Sequence, residues 1–355
     1  MVPEIVDLLV MESMAVKTND NPVLDVRNLE VTFNVARGAA KILAGVDFKL
    51  YPREILALVG ETGSGKSVTA KTLLKLIPVA SKETGGEVWF EGNDLLDMSD
   101  KELQGIRGRD IGMIFQNPQA CINPVFTLGE QIFRLIRLYL SKEIEEKKKS
   151  LRVSAKEAIQ LIAKEKLTEV GLSDSKRIFK SYASEVSGGM AQRFMIAQAL
   201  LSSPKILIAD EATSALDVTV QARILKLLKD LCAKNDTAIL FITHDLGIAA
   251  QVCDRVAVMY SGRIVEVAGT NTIFNNSCHP YTQGLLDAVP RPGRQKKLSF
   301  VPGMIPDLVD PPGGCRFHPR CSKAMDGCSQ QRPGKYKPAE NHEVSCFLYE
   351  GHSRG

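Results

Sequence analysis

The stretch Ile55-Leu56-Ala57-Leu58-Val59 runs directly into Gly60-Glu61-Thr62-Gly63-Ser64-Gly65-Lys66-Ser67. The apolar run predicts a buried strand, and the following residues match the phosphate-binding pattern G-x-x-x-x-G-K-[ST] ahead of a helix-compatible stretch from Val68 to Leu76. Glycines let backbone N–H groups converge on phosphate oxygens, and the start of the helix adds a favourable dipole. Lys66 is then placed to neutralise phosphate charge and Ser67 to bind magnesium. The alternative, a glycine-rich turn with an exposed lysine, is disfavoured by the strand-loop-helix context.

Three further apolar runs predict buried parallel strands, and polar residues follow each of them. The runs are Ile111 to Phe115, Ile206 to Ala209 and Ala238 to Thr243. The polar residues are Gln116, Asp210, Glu211 and His244. Because ligands of open α/β sheets collect at the carboxyl ends of the strands, a single sheet would gather these side chains around one phosphate.

Each of these polar residues suits one role at such a site. We assign Asp210 to magnesium and Glu211 to an attacking water, whose proton its carboxylate accepts. His244 is suited to donate a hydrogen bond to a γ-phosphate, and the neutral amide of Gln116 can contact both a metal and a water. Taken singly, each residue has a plainer interpretation, such as a solvated loop or a structural histidine. Their joint position after buried strands is what favours the catalytic interpretation.

A second glycine-rich element, Val186-Ser187-Gly188-Gly189-Met190, precedes a helical pattern that contains Phe194, Ala197 and Leu201. Ser187 is a good N-cap, and a hydroxyl, exposed amides and a helix dipole together suit an anion. The residues alone leave open whether this element binds an anion or only starts a helix.

Composition bounds the class of protein. The chain has 355 residues, 44% of them hydrophobic and 24% charged, which are globular proportions and, at roughly 150 residues per domain, predict about two domains. No apolar run approaches the roughly 18 residues that span a bilayer, so we expect no integral membrane protein. Glu4 and Asp7 stand where a secretory signal is basic, so we expect a cytoplasmic location. The 45 basic and 41 acidic residues are too nearly balanced to predict a nucleic-acid partner.

Local patterns divide the main part of the chain. Residues 24–58 alternate apolar and polar positions, which predicts antiparallel strands. One face of a helix is predicted farther on, from the apolar residues Ile132, Leu135, Ile136 and Tyr139. The charged run Glu143 to Arg152 then predicts a solvated helical face.

From Asn276 onward the composition changes. Ten of the 17 prolines lie there, which leaves little room for a long helix, together with four of the eight cysteines. That part also holds eleven basic and seven acidic residues, so the whole net charge of +4 lies in it. We therefore predict an N-terminal extension at 1–21, with Met11 or Met14 as alternative starts, a main domain at 22–275 with a helical subdomain at about 117–200, and a C-terminal region at 276–355.

These motifs, in this order, closely resemble the ATP-binding subunits of ABC transporters over nearly all of residues 22–275. GETGSGKS resembles Walker A, Gln116 the Q-loop, VSGGM the signature, ILIADE Walker B, Ser214-Ala215-Leu216-Asp217 the D-loop, and His244 the switch histidine. Phe33 lies where this family stacks an aromatic ring on adenine, although its own context predicts a core strand residue. The resemblance implies an α/β fold: a P-loop ATPase core with an antiparallel β subdomain, an inserted α-helical subdomain and a small irregular C-terminal domain that carries cysteines.

The resemblance also implies residue roles. ATP contacts are expected at Phe33, Gly60, Glu61, Thr62, Gly63, Ser64, Gly65, Lys66, Ser67 and Val68. Magnesium ligands are expected at Ser67, Gln116 and Asp210, and catalytic groups at Glu211, His244 and Gln116. The signature residues Ser187, Gly188, Gly189 and Met190 would contact ATP held by a partner cassette, with Asp217 in the D-loop.

A finer resemblance comes from FQNPQACINPVFTLGEQI, SGGMAQRFMIAQAL, HPYTQGLL and GCRFHPRC, which are similar to the peptide-import branch and its nickel-transporting relatives. It implies an ATPase that works as a head-to-tail dimer with a paralogous or identical subunit. The other expected partners are two transmembrane permease subunits and an extracytoplasmic substrate-binding protein, which places the chain peripherally on the cytoplasmic side of the membrane. Nickel or another small solute is the alternative cargo. Two rival classes are a soluble ABC ATPase acting on nucleic acid or ribosomes and a phosphate-binding regulatory module without catalysis.

Four cysteines in the C-terminal region form a possible ligand set with the spacing C-x5-C-x6-C-x17-C. They are Cys315, Cys321, Cys328 and Cys346. The spacing lacks the short paired knuckles of structural zinc sites and, in the expected compartment, a disulfide is disfavoured. Spacing alone leaves an iron–sulfur cluster, zinc and no metal open. Some members of the resembled branch carry a [4Fe-4S] cluster on such cysteines, and the resemblance therefore favours the cluster.

Overall fold

Thirteen strands and thirteen α-helices lie in residues 21–77, 82–289 and 301–354, the part of the chain that the computed structural model describes. The strands are β1 (Leu24–Val35), β2 (Gly38–Leu50), β3 (Ile55–Val59), β4 (Lys82–Phe90), β5 (Asn93–Asp94), β6 (Ile111–Ile114), β7 (Ile206–Asp210), β8 (Ala238–Thr243), β9 (Arg255–Tyr260), β10 (Arg263–Gly269), β11 (Tyr336–Ala339), β12 (His342–Val344) and β13 (Ser353–Arg354). The helices are α1 (Lys66–Leu73), α2 (Asp100–Ile106), α3 (Pro118–Cys121), α4 (Leu128–Tyr139), α5 (Ser141–Leu151), α6 (Ala155–Glu169), α7 (Ser175–Lys180), α8 (Gly188–Leu200), α9 (Val218–Asn235), α10 (Leu246–Val252), α11 (Thr270–Asn276), α12 (Pro280–Asp287) and α13 (Gly327–Gln330).

The chain divides into two units. Unit 1 comprises residues 1–98 and 240–355, and unit 2 comprises residues 99–239. Residues 1–20 of the predicted N-terminal extension lie outside the described residues. Within the described ranges, no helix combines the length and the apolar character that crossing a bilayer requires.

Unit 1 contains an antiparallel sheet and a mixed sheet. The antiparallel sheet has the order β2-β1-β4-β5, and its β1–β2 pair confirms the antiparallel strands predicted within residues 24–58. In the mixed sheet the strand order within this unit is β13-β11-β12-β10-β9-β3-β8. Strands β3 and β9 are parallel, with Leu56 opposite Arg255 and Val59 opposite Val258, and β9 returns as an antiparallel hairpin into β10.

The predicted buried strands are confirmed. Every residue of β3, β6, β7 and β8 is buried. Runs of apolar residues are typical of strands that are covered on both faces. Strand β9 was not predicted, although its residues Val256 to Tyr260 are equally apolar and buried. Strands β6 and β7 pair in parallel in unit 2, with Ile111 opposite Ile206.

Helices dominate the rest of unit 2, and their starts are set by local sequence. Helices α2, α4 and α6 each begin with a capping box, in which Ser99, Thr127 and Ser154 exchange hydrogen bonds with a glutamate three residues later. Such boxes satisfy N–H groups that a helix leaves without partners. The predicted helical face is confirmed in α4, and the charged run forms α5, in which Ile144 is buried.

The C-terminal region continues the mixed sheet of unit 1 instead of forming a sheet of its own. Strand β12 pairs with β10, with Glu266 opposite Val344, and β11 and β13 follow outward. No long helix occurs among its described residues: α12 and α13 have eight and four residues.

A buried carboxylate fastens this extension. Glu266 is 1% exposed, accepts hydrogen bonds from the N–H groups of Cys278 (2.6 Å) and His279 (3.0 Å), and lies 2.8 Å from Nε2 of His342. Burial raises the pKa of Glu266, but the hydrogen bonds from His342 and from the two N–H groups outweigh it and leave the pKa below its usual value. Glu266 therefore links β10 to β12 and to the segment before α12.

We expect Glu266→Gln to lower the free energy of unfolding by about 2 kcal/mol at pH 7, because hydrogen bonds to a charged acceptor are lost. The folded-state pKa of Glu266 is lowered, so its carboxylate stabilises the fold above the unfolded pKa, near about 4.3, and this contribution is lost as the pH falls through the folded pKa. Urea unfolding at pH 7 and at acidic pH measures the difference, which should shrink with acid. The exposed Glu340→Gln is the control, and a Glu266→Gln variant as stable as wild type at pH 7 would contradict the role.

Candidate functional site

The phosphate-binding loop follows β3 at its carboxyl end. Lys66 is 6% exposed, and its Nζ donates to the carbonyl oxygens of Gly60 (2.7 Å) and Glu61 (3.0 Å). The ammonium therefore lies inside the loop rather than in solvent. Ser64 is fully buried, and its carbonyl oxygen accepts a hydrogen bond of 2.7 Å from the N–H of Gly262, in the turn between β9 and β10.

Glycine is required where the loop passes over β9. Gly60 has φ 156°, and a Cβ at this position would overlap the carbonyl oxygen of Met259. Gly65, with φ 109°, stands directly before α1, where a Cβ would meet side-chain atoms of Leu43 and Met259 at 2.9 Å. Thr62, Gly63, Ser67 and Val68 complete the loop and the start of α1.

Two other predicted residues also belong to unit 1. His244 is exposed and lies between the end of β8 and α10, whose first N–H groups are capped by Asp245. Phe33 lies on β1 and is half-buried, so it is not one of the fully buried core residues that its strand context predicts.

Unit 2 brings Gln116, Asp210 and Glu211 to the carboxyl ends of the parallel strands β6 and β7. Nε2 of Gln116 donates to Oε2 of Glu211 at 2.9 Å. Asp210 ends β7 and is 1% exposed. The Gln116 amide thus binds the Glu211 carboxylate through its nitrogen and keeps its oxygen for another ligand. Carboxylate and amide oxygens of this kind are ligands that magnesium prefers.

Glu211 has φ 49°, in the left-handed region that residues other than glycine rarely adopt. Its carbonyl oxygen accepts hydrogen bonds from the N–H of Ser214 (3.2 Å) and from the Ser214 hydroxyl (3.0 Å), which close a turn directly after β7. Backbone strain of this kind persists where neighbouring structure enforces it. The turn therefore fixes where the Glu211 carboxylate points relative to its strand.

The second glycine-rich element lies at the start of α8, where Ser187 is the N-cap as predicted: its Oγ accepts from the N–H of Met190 at 3.3 Å. Ser187 is exposed, and a Cβ on Gly188 would meet no atom within 4 Å, so this helix start is open. A Cβ on Gly189 would lie 3.5 Å from the carbonyl oxygen of Ala215, in the predicted D-loop. Asp217 caps α9 by accepting from the N–H of Val220 at 3.0 Å.

Three residues near these motifs were missed by the sequence analysis. Gln192 of α8 is fully buried and donates to the carbonyl oxygen of Ala212, the residue after Glu211, at 2.8 Å. Tyr281 and Arg320 of the C-terminal region both contact Glu61 of the loop. The latter two are more than 200 positions from Glu61, and the only sequence signal for them was their place within the quoted HPYTQGLL and GCRFHPRC. Gln192 falls within the quoted SGGMAQRF, so its place after the signature was the available signal.

The four cysteines of the predicted ligand set line one cavity of unit 1. Burial is the main cause that raises the pKa of Cys315, Cys321 and Cys346, the last to about 11. Backbone N–H groups oppose this rise: Phe317 and His318 at Cys315, Lys323 at Cys321 and Leu348 at Cys346. Sγ of Cys328 accepts from the N–H of Met325 at 3.4 Å. Each sulfur therefore has a backbone donor suited to a thiolate.

The spacing of these sulfurs separates two kinds of metal site. Within the described part of the chain, groups of three or more potential ligands whose atoms all lie within 4.8 Å of one another do not include these cysteines. One tetrahedral zinc ion, with Zn–S bonds of about 2.3 Å, would hold four sulfurs about 3.8 Å apart. In a four-iron cluster each thiolate binds a different iron, so the sulfurs stand farther apart. The four sulfurs do not form, among the described residues, a group as compact as the ligands of one zinc ion.

A different group of potential ligands does lie within 4.8 Å of one another among the described residues. It consists of Glu266, Cys278 and His342. All three are buried, but the Glu266 oxygens already accept the hydrogen bonds that join β10, β12 and α12. We therefore interpret this group as structural. The thiol of Cys278 is buried.

Comparison with protein families gives two matches. A family described as ABC transporter matches residues 43–214, and one described as oligopeptide/dipeptide transporter, C-terminal region, matches residues 265–328. The first range contains the phosphate-binding loop, Gln116, α8 and β7. The second contains Tyr281 and three of the four clustered cysteines.

Individual proteins are similar over most of their length. The dipeptide transport ATP-binding protein DppD of Bacillus subtilis is 44% identical over 330 residues, 92% of this chain and 95% of that protein. The oligopeptide transport ATP-binding protein OppD of the same organism is 44% identical over 328 residues, 92% and 88% of the two chains. Among solved structures, the ATP-binding cassette MJ0796, a dimer in a post-hydrolysis state bound to ADP and Pi, superposes with a TM-score of 0.59 at 27% identity, covering 70% of this chain and 98% of that one.

The left-handed backbone at Glu211 makes a stability prediction that is independent of activity. We expect Glu211→Gly to be more stable than Glu211→Ala by about 1 kcal/mol, because glycine adopts a positive φ without the steric cost of a Cβ. Both variants lose the Gln116 hydrogen bond, so that loss cancels in urea unfolding. At the exposed Glu146, within α5, the same pair should give the opposite order, since alanine is the better helix former. An alanine variant at position 211 that matches or exceeds the glycine variant would contradict the strain.

Proposed function

This chain belongs to the family of ABC transporter ATP-binding proteins with an oligopeptide/dipeptide C-terminal region, and from that premise we propose that it hydrolyses ATP to drive peptide import. The observation that carries the catalytic part is the 2.9 Å hydrogen bond between Gln116 and Glu211 beside the buried Asp210. At the carboxyl ends of β6 and β7, the Glu211 carboxylate can accept a proton from water, and the Gln116 amide and the Asp210 carboxylate can bind a metal ion. Such an arrangement suits phosphoryl transfer, in which positioning and charge stabilisation supply most of the catalysis.

The proposed roles of the residues in ATP hydrolysis are those expected from the sequence motifs. The amides of residues 60–67 and the ammonium of Lys66 bind the phosphates, and Ser67, Asp210 and Gln116 supply oxygen ligands to magnesium. When bound, magnesium neutralises charge that develops on the phosphates. Glu211 accepts a proton from the attacking water, and His244 donates a hydrogen bond to the γ-phosphate.

We also propose that two cassettes act together. The dimeric cassette that this chain resembles supports the idea, as does the open helix start at Ser187 and Gly188. In a head-to-tail dimer with an identical or a paralogous chain, residues 187–190 would contact ATP held by the partner, because a helix start with free N–H groups attracts anions. ATP that bridges two surfaces favours their association.

The cargo and the remaining partners are proposed from the relatives. The names of DppD and OppD and the matched C-terminal region support dipeptides or oligopeptides over nickel, and over a soluble ATPase of nucleic acid or ribosomes. The proposed assembly contains two transmembrane permease subunits and an extracytoplasmic substrate-binding protein. The chain itself would lie peripherally on the cytoplasmic side of the membrane.

Replacement of Glu211 tests the catalytic role. Glu211→Gln should still bind ATP while its hydrolysis rate falls by about 100-fold or more, because the amide cannot accept the proton of water. Nucleotide binding and phosphate release are measured on the same preparations. Glu146→Gln, at an exposed position of α5, is the matched control and should hydrolyse ATP at the wild-type rate. Turnover of Glu211→Gln at the wild-type rate would remove Glu211 from this role.

For the four cysteines we propose a [4Fe-4S] cluster held by Cys315, Cys321, Cys328 and Cys346. The common cavity and the backbone donors at each sulfur support it. When bound, such a cluster would supply redox-active iron, and by joining four cysteines it would stiffen a segment with little regular secondary structure.

Cationic side chains near Cys315 support an anionic occupant. Arg263, Arg316, Arg332 and Cys315 share the lining of a second cavity of unit 1. Burial, together with the charges of Arg263 and Arg332, lowers the pKa of Arg316 to about 10. A cluster held by four thiolates carries net negative charge and would offset this crowding of positive charge.

Anaerobic purification tests the cluster. We expect about four irons and four sulfides per chain and a broad absorption band near roughly 400 nm. Cys328→Ser should lose both, whereas Cys121→Ser, at an exposed cysteine outside the cavity, should keep them. Stoichiometric zinc without iron, or a full cluster in Cys328→Ser, would contradict the assignment.

A further inference from the structure

Glu61 of the phosphate-binding loop is held by the C-terminal region through two side chains. Its N–H donates to the hydroxyl oxygen of Tyr281 at 2.9 Å. Its carboxylate accepts two hydrogen bonds from Arg320, one from Nη1 to Oε2 (2.7 Å) and one from Nη2 to Oε1 (3.0 Å). Both the backbone and the side chain of Glu61 are therefore fixed by residues that follow it by more than 200 positions.

Arg320 is itself rigidly placed. Its Nε donates to the carbonyl oxygen of Pro302 (2.7 Å), and Nη2 also donates to that of Val301 (3.1 Å). The guanidinium lies 5.6 Å from the centre of the Tyr260 ring, and its side chain is only 7% exposed. A forked, nearly buried arginine with this many partners fixes the geometry of its carboxylate more strictly than a surface pair does.

Tyr281 is fixed by aromatic packing. It is fully buried, packs edge-on against Tyr260 at 4.7 Å between ring centres, and packs in a tilted arrangement against Phe317 at 5.3 Å. Phe317 lies between Cys315 and Cys321. The short segment 315–321 therefore carries two of the four clustered cysteines, the ring that packs against Tyr281, and Arg320.

A second connection reaches the loop from this segment. Arg316 is 4% exposed, and its Nη1 donates to the carbonyl oxygens of Ser261 (2.5 Å) and Lys41 (3.2 Å). Ser261 precedes Gly262, whose N–H donates to the carbonyl oxygen of Ser64 in the loop at 2.7 Å. The segment therefore supports the loop at Glu61 directly and at Ser64 through the β9–β10 turn.

Electrostatics explains why Glu61 needs such a partner. A carboxylate inside a loop that binds phosphate repels the ligand, and the repulsion is larger at a partly desolvated site than in water. Glu61 is 27% exposed at its side chain, and the guanidinium of Arg320 cancels its charge in a fixed orientation. Without Arg320, the loop would present a free negative charge beside Lys66.

We propose that Arg320 and Tyr281 are positioning residues of the nucleotide site, through which the C-terminal region holds the loop ready for phosphate and neutralises Glu61. The inference rests on the proposed function of residues 60–68 as the nucleotide site. It makes the C-terminal region a part of the ATP site of its own chain.

Nucleotide binding tests this role in the full chain. With a fluorescent ATP analogue and magnesium in the Glu211→Gln background, Arg320→Gln should raise Kd about tenfold, the equivalent of one uncompensated charge. In steady-state assays with Glu211 intact, KM should rise similarly while kcat changes by less than about threefold. Arg320→Lys should recover part of the affinity, because it keeps the charge but not the paired hydrogen bonds.

The double variant Glu61→Gln/Arg320→Gln separates positioning by charge from a general loss of structure. It should bind nucleotide more tightly than Arg320→Gln alone, because no free carboxylate remains in the loop. Arg37→Gln is the matched control: Arg37 also pairs with the C-terminal region, at Asp307 (3.1 Å), but its side chain is 75% exposed and its ion pair is not with the loop, so its removal should leave Kd unchanged.

The outcomes distinguish this inference from the proposed function. Failure of wild type to bind nucleotide, or binding unaffected by Lys66→Ala, would refute the proposed nucleotide site itself. Binding that depends on Lys66 but is equally tight in Arg320→Gln would overturn only the role of Arg320. If Arg320→Gln fails to fold, Tyr281→Phe decides: a several-fold weaker affinity supports positioning of the loop, and wild-type affinity overturns it.

Discussion

The close approach of the loop backbone to β9 is the constraint on which the rest of unit 1 depends. At residue 60 the chain passes so near the carbonyl oxygen of Met259 that only glycine fits, and it does so at a positive φ. This contact fixes the loop on two adjacent parallel strands, because β3 leads into it and β9 lies beneath it. The buried ammonium of Lys66 then holds the carbonyl groups of the turn from inside.

The hairpin of β9 and β10 is shared by the nucleotide loop and the C-terminal region. Its turn bonds to Ser64 of the loop and to Arg316, and its second strand carries Glu266, which holds β12 and the start of α12. Helix α12 in turn supplies Tyr281 to Glu61. The C-terminal region is thus built on the β9–β10 hairpin, whose first strand also lies beneath the loop, and this explains how the region can contact the loop so closely.

Unit 2 concentrates its chemistry in one turn. Glu211 follows β7 in a left-handed conformation, its carboxylate accepts from Gln116, and the next residue accepts from the buried Gln192 of α8. The proposed catalytic carboxylate and the glycine-rich start of α8 therefore share a rigid connection through the protein interior. Backbone strain at such a position is tolerated because hydrogen bonds on both sides define the turn.

The sequence alone determined the parts that are locally encoded. Continuous apolar runs predicted β3, β6, β7 and β8, because strands buried on both faces contain few polar residues. Ser187, a good N-cap residue, predicted the start of α8. The order of the Walker A, Q-loop, signature, Walker B and D-loop motifs predicted the ABC transporter family. The similarly apolar β9 carried the same signal and was overlooked.

Only the tertiary structure decided which distant residues meet. Arg320 and Glu61 are 259 positions apart, and their pairing depends on the path of the backbone through β10, α12 and the cysteine segment. The addition of β12 to β10 and the positive φ of Glu211 were equally hidden, since neither leaves a local periodicity or a distinctive residue type. Local patterns report the burial of each residue, whereas these contacts arise from how the buried elements are stacked, and that is a property of the whole fold.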